Sequence, residues 1–194
     1  MEDPLIAQAI DLLDKHLACD TAPADGSLLD ATAGALETYL ASGDLEATFV
    51  ALLPDVLEIT GSEFGFLAEV RHSWNQTPYL QSHAVTNIYK SDYTYRDVVS
   101  NLQFFNLNTL NGAIIKEQAP VVSSDPERDP RSGGLPFGHE RLKSYCGLPF
   151  LVEDTLVGAL ALANRQGGYP PSEVEALQPL CAVSGRMISH ARNQ

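Results

Sequence analysis

Basic side chains are scarce in this sequence. Twelve Lys and Arg stand against 25 Asp and Glu, giving a net charge of −13 at pH 7. The few basic residues form no cluster, and a surface of that balance repels phosphate backbones and anionic lipid. Nucleic acid and membrane surfaces are therefore poor partners. Long apolar runs are lacking too, since none approaches the ~20 residues of a membrane span. The first ten residues, MEDPLIAQAI, carry acid where a secretory signal carries base, and the expectation is a cytoplasmic protein. Cysteine is sparse: Cys19, Cys146 and Cys181 lie far apart and are odd in number, which is no disulfide framework. Free thiols in a reducing compartment follow.

The short motifs of catalysis are missing as well. There is no G-x-S-x-G elbow, no G-x-x-x-x-G-K-[ST] loop, no Ser–His–Asp spacing and no paired-carboxylate site. Gly133-Gly134 and Gly167-Gly168 lack the strand-to-helix setting of a phosphate cradle and read as turns. Closely spaced ligand pairs such as C-x-x-C are absent, which argues against a zinc site. The chain is not expected to be an enzyme.

What is present is an ample apolar complement, 44% of 194 residues, enough for one domain of the usual ~100–150 residues with an extension. Residues 1–43 read as an N-terminal helical extension, 44–190 as the domain and 191–194 as a tail. Apolar spacing predicts helices over Leu5–Leu17 and Leu28–Leu40, with a loop from Cys19 to Ser27 between them. Asp44 should cap a third helix, Leu45–Thr60, bent by Pro54. Alternation predicts strands over Phe64–Val70 and Tyr79–Thr86. Ser91–Leu102 allows a helix, FFNLN suggests a buried connection, and Asn108 should cap a helix over Thr109–Lys116. A short strand at Val121-Val122 and a hairpin of Ser144–Val152 with Leu156–Ala163 follow. The last helix should start at a capping box, Ser172 with Glu175, and run to His190.

Hairpin-joined strands with helices gathered at the ends define an α+β fold built on an antiparallel sheet. Leu156–Ala163 is apolar on both faces and should be central. The last helix carries two apolar lines, one through Val174, Leu177, Cys181 and Ile188, the other through Leu180, Val183 and Met187. One line can cover the sheet. The other, like the first helix, needs a partner, so a homodimer through the terminal helices is expected, weakened by charge at Leu180 or Met187.

Between Val122 and Tyr145 runs a loop of roughly fifteen residues or more, long enough to suggest function. It holds Asp125-Pro126, Asp129-Pro130-Arg131, Gly134-Leu135-Pro136 and Gly138-His139, and is followed by Gly147-Leu148-Pro149, Ala163-Asn164-Arg165 and Gly168-Tyr169. This order resembles the GAF domains of bacterial signalling proteins, found beside histidine kinases and diguanylate cyclases, and the similarity extends from about Asp44 to Ser189. The resemblance implies a six-stranded sheet with helices on one face, and a ligand pocket with the long loop on the other. It further implies a non-enzymatic sensor of an unknown small molecule, working with a kinase or cyclase output domain or partner. The alternative is an interaction or dimerisation module with a vestigial pocket.

Candidate ligand-binding residues are Arg131 and His139 on the loop, Phe66, His83, Tyr145 and Leu148 on the sheet, and Asn164. Arg131 could offer its planar fork to an anionic ligand, or it could hold the loop through backbone carbonyls. No cofactor is identified. A haem held by His83 or His139 leaves almost no sequence trace, and a redox role for Cys146 would need an electropositive setting. Asn164-Arg165, Tyr169 and Glu173 partly resemble the Asn-Lys…Phe…Asp-Glu signature of cyclic-nucleotide-binding relatives, with Arg for Lys and Tyr for Phe.

Overall fold

Three helices open the chain, α1 (Pro4–Leu17), α2 (Gly26–Ser42) and α3 (Leu45–Thr60). They are taken from a computed structural model that describes residues 3–17, 26–86, 98–134 and 139–194. Cys19, most of the expected loop around it and the 91–97 part of the expected helix lie outside those residues. In α3 the local sequence sets both limits. The Asp44 carboxylate accepts from the Ala47 amide at 2.9 Å, and Gly61 ends the helix at a left-handed φ of 63°, where a Cβ would be strained. Pro54 lies inside α3 without ending it. Phe49, Leu53 and Val56 are fully buried, and that packing outweighs the hydrogen bond lost at the proline.

The strands are β1 (Phe64–His72), β2 (Pro78–Thr86), β3 (Val98–Val99), β4 (Gln103–Phe104), β5 (Val121–Ser123), β6 (Tyr145–Val152) and β7 (Thr155–Ala163). All pairings are antiparallel, in the spatial order β3-β2-β1-β7-β6-β5, with β4 sharing the edge position beside β2. The sheet thus has the six strand positions expected, and β7 is central between β1 and β6. Where a helix was expected, Val98 and Val99 instead pair with Thr86 and Val85, as β-branched residues beside an open sheet edge favour. α4 (Leu110–Glu117) is capped by Thr109, whose hydroxyl accepts from the Gly112 amide at 3.1 Å. Asn108, expected in that role, accepts from Lys116 Nζ instead.

The sheet separates two apolar layers. Leu67, Ala84, Cys146, Leu148, Phe150, Leu160 and Leu162 pack with α1, α2, α3 and the C-terminal helix. Phe66, Val85, Tyr145, Ala159 and Ala161 face the other way, with α4 over part of that side. β7 makes the division plain: its leucines fill the helical layer, while its alanines face the opposite side.

The last helix is two helices, α5 (Pro171–Ala176) and α6 (Gln178–Arg192). Pro179 lacks an amide hydrogen and disfavours helical geometry before it, which explains the break at Leu177. α5 begins at Pro171 with no side-chain cap, so the Ser172 capping box is not used. α1 and α2 pack on α6 within the same chain, and Leu180 and Met187 are 0% exposed. The second apolar line therefore has its partner in the chain itself, and charge at either residue should break the fold rather than a dimer. At the end of α6, Arg192 donates from Nε to Glu69 Oε1 at 2.8 Å and from Nη2 to the Val70 and Val157 carbonyls. Glu69 also accepts from His83 Nε2 at 3.1 Å and from Arg71, so one buried carboxylate joins β1, β2 and the end of α6.

Candidate functional site

On the α4 side of the sheet lies a cavity in two joined compartments. The inner one, about 80 Å³, is walled by Phe64, Phe66, Val85, Ala161 and Leu162. The outer one, about 700 Å³, lies between β4, the N-terminal end of α4 and the long loop, with Gln103, Phe105, Thr109, Pro126 and Gly133 on its walls. Val85, Phe104, Asn111, His139, Leu142 and Tyr145 line both. The volume exists because β7 presents alanine on this face where leucine would fill it. Phe66 and Phe104 stack with their rings 5.5 Å apart.

The polar groups gather at the junction. The Tyr145 hydroxyl donates to Asn111 Oδ1 at 2.7 Å, and burial raises its pKa well above 10.0, so it remains a neutral phenol. His139 Nδ1 lies 2.6 Å from the Glu140 carbonyl. A carbonyl only accepts, so Nδ1 carries the proton there.

The long loop is held by its own charges. Arg131 donates from Nε and Nη2 to the two Asp129 carboxylate oxygens at 2.9 and 2.8 Å, and from Nη2 to the Val122 carbonyl at 3.0 Å. These hydrogen bonds hold the Asp129 carboxyl well below its ordinary value and raise that of Arg131. Two residues on, a Cβ at Gly133 would lie 1.9 Å from the Asn108 carbonyl. The loop rests directly on the backbone that leads into α4, and only glycine fits there.

The structure brings together Phe66, His139 and Tyr145 of the seven candidates. His83 points to the helical side, where it contacts Phe49 edge-on and donates to Glu69; with Nε2 so engaged it does not fit a haem ligand. Leu148 is 0% exposed against the helices. Arg131 binds the loop rather than the cavity wall. Asn164, at φ 63°, clamps three segments, accepting from Lys143 N and donating to Glu63 and the Arg141 carbonyl. Arg165 and Glu173 pair at 3.2 Å, and the Tyr169 hydroxyl meets Ser62 at 2.9 Å, so the partial signature builds the β7–α5 corner. Cys146 faces the helical layer, and burial pushes its thiol up to about 12. Sequence reasoning missed Asn111, Phe104 and Leu142. The expected buried connection at FFNLN is a cavity wall, with Phe105 53% exposed.

Comparison with known proteins agrees with this architecture. A model of the GAF domain family matches residues 42–189, and the chain belongs to that family. The GAF domain of a phosphoenolpyruvate-protein phosphotransferase from Coxiella burnetii is similar at a TM-score of 0.68 and 17% identity, over 86% of this chain and 95% of that one. Free methionine-R-sulfoxide reductase from Neisseria meningitidis, solved with its substrate, is similar at 0.60 and 11%, over 100% and 95% of the chains. A GAF domain/HD domain protein from Geobacter sulfurreducens is similar at 0.54 and 12%, over 84% and 99%. At such identities the likenesses establish the fold. Among the described residues no helix is long and apolar enough to cross a membrane.

Proposed function

We propose that this GAF domain is a non-enzymatic sensor module that binds a small molecule in the two-part cavity and passes occupancy to its helical layer. The observation that carries the reading is the open volume of about 700 Å³, within the ~300–1,000 Å³ of small-molecule sites. A closed pocket would have favoured a docking module instead. No cysteine is among the described residues lining the cavity, which supports binding over thiol chemistry.

One hydrogen-bonded link joins the sheet edge beside the cavity to the helices, and a second, on the helical side, holds α6 to the sheet. Beside β4, Ser100 and Asn101 donate to the Glu46 carboxylate of α3 at 2.7 and 3.2 Å. Across the sheet, Glu69 holds Arg192 at the end of α6. A ligand that favours one setting of β4 and the loop shifts an equilibrium by its differential affinity, with coupling of ~1–3 kcal/mol. The receiver is a kinase- or cyclase-type output domain or partner. In this reading a homodimer uses the outward faces of α1 and α2, where Leu40 is 49% exposed, because α6 is already covered.

Native mass spectrometry of freshly purified protein, followed by amide exchange with and without the retained molecule, tests the reading. Slower exchange across residues 123–134 and at Phe104 on binding is expected. A ligand-free protein that retains no molecule and whose loop exchange no extracted metabolite alters would remove it. Sedimentation of a 21.0 kDa species alone would remove the dimer.

A further inference from the structure

We infer that the cavity takes an uncharged molecule with a compact branched apolar end and a carboxamide-like group, an assignment that rests on the ligand-binding reading above. Charge is the first argument. Among the described residues lining the two compartments there is no Lys or Arg, and Glu127 is the one carboxylate. Of the adjoining loop's arginines, Arg131 pairs with Asp129 and Arg141 with Glu127 at 2.6 Å, while Arg128 extends into solvent with Asp125 3.8 Å away. A carboxylate or phosphate entering this space would shed its hydration and meet no lysine or arginine among the described residues of the walls, which is heavily unfavourable. An ammonium group would have to share Glu127 with Arg141.

Shape is the second. A closed cavity of ~150 Å³ accommodates benzene, so the smaller compartment of about 80 Å³ is sized for a short aliphatic group. Its walls are mostly apolar, with Phe64, Phe66, Val85 and Ala161 among them, and its polar members are Thr86, Asn111, His139 and Tyr145. Hydrogen bonding is the third. Because the Tyr145 hydroxyl donates to Asn111 Oδ1, the Tyr145 oxygen remains an acceptor and Asn111 Nδ2 a donor, side by side where the compartments meet. A carboxamide presents the complement, a carbonyl for Nδ2 and an N–H for the phenol oxygen. An apolar end in the inner compartment places that group at this pair, and the rest of the molecule extends past Phe104 into the outer space.

Isovaleramide, isovalerate and isoamylamine share one branched chain and differ in the charge of the end group. Titration of each into the ¹⁵N-labelled chain should shift the amides of Phe104, Asn111 and Ala161, with isovaleramide binding about tenfold or more tightly than either charged analogue, a difference of about 1.4 kcal/mol. Asn111→Leu should weaken isovaleramide by removing its hydrogen-bonding pair with Tyr145 while isovalerate and isoamylamine stay weak, and Ala161→Leu should abolish binding by filling the inner compartment. Should Ala161→Leu not fold, Asn111→Leu still decides, since it leaves the apolar walls intact. Isovalerate or isoamylamine binding at the same amides as tightly as the amide would overturn the ligand class and leave the cavity in use. No shift at those amides from any of them would overturn this ligand assignment, while the sensor reading is decided separately by the native mass spectrometry and amide exchange described above.

Discussion

Glu69→Gln removes one charge from a position where three cationic or donor side chains converge. Glu69 is 5% exposed. Burial alone would push its carboxyl up, but hydrogen bonds from His83 and Arg192, with the charges of Arg192 and Arg71, bring it from 4.5 down to about 2. A folded value below the unfolded one gives stability that is fully present above pH 4.5 and is lost as the pH falls towards 2. Converted at about 1.4 kcal/mol per pH unit, the contribution is on the order of 3 kcal/mol. Gln keeps the shape but turns an amide toward donors, so the variant should lose about 2–3 kcal/mol at neutral pH. Urea unfolding should be followed by far-ultraviolet circular dichroism, because Trp74 is 94% exposed and reports little on folding. At about pH 3 the gap between the proteins should have shrunk by more than half. A variant within about 0.5 kcal/mol of the parent at neutral pH, or a gap that does not change with pH, would refute the reasoning.

Arg131→Ala should lower the melting temperature through loss of about 1–3 kcal/mol while leaving ligand affinity unchanged, because Asp129 and the Val122 carbonyl take its hydrogen bonds; a fall in affinity measured by calorimetry, without loss of stability, would return it to the ligand. Leu160→Asp places an unpaired carboxylate at a fully buried position of the central strand, so the chain should be insoluble or unfolded by circular dichroism. With Cys146 and Cys181 buried and both thiols pushed up by desolvation, neither should react with an aromatic disulfide reagent until denaturant is added; mass mapping of labelled peptides checks this.

Most elements were legible because apolar spacing and capping are local properties. Asp44 starts α3 as its carboxylate dictates, α3 ends at Thr60 as expected, and β7 is central as its two apolar faces require. What was not legible depends on parity and on distant partners. A bulge opposite Leu67 and Ala68 shifts the β2 register, which turns His83 to the helical side; alternation counted along the sequence cannot register an extra residue. Leu148 is a different case. It stands three residues from Tyr145, and a regular strand cannot aim both at one face, so the sequence already argued against grouping them. Arg131 could be assigned only once Asp129 and Val122 were seen beside it. Asn111 gave no signal, since a polar residue in a first helical turn has an ordinary place in solvent. The Leu and Ala alternation in GALALA was the readable trace of the cavity, although it was taken only as evidence of burial.

That alternation makes the register of β7 and the size of the binding space one quantity. Slipping the strand by a single residue would turn the Leu160 side chain toward the cavity and set alanines against α6, closing the one and loosening the other together. Register is pinned elsewhere, at Gly158, where a Cβ would lie 2.5 Å from the Ala68 carbonyl and 2.7 Å from Ile188. Residues 161 and 163, which line the cavity, can thereby change size without moving the strand. Ligand preference can drift along one face of β7 while the packing of the helices on the other stays fixed.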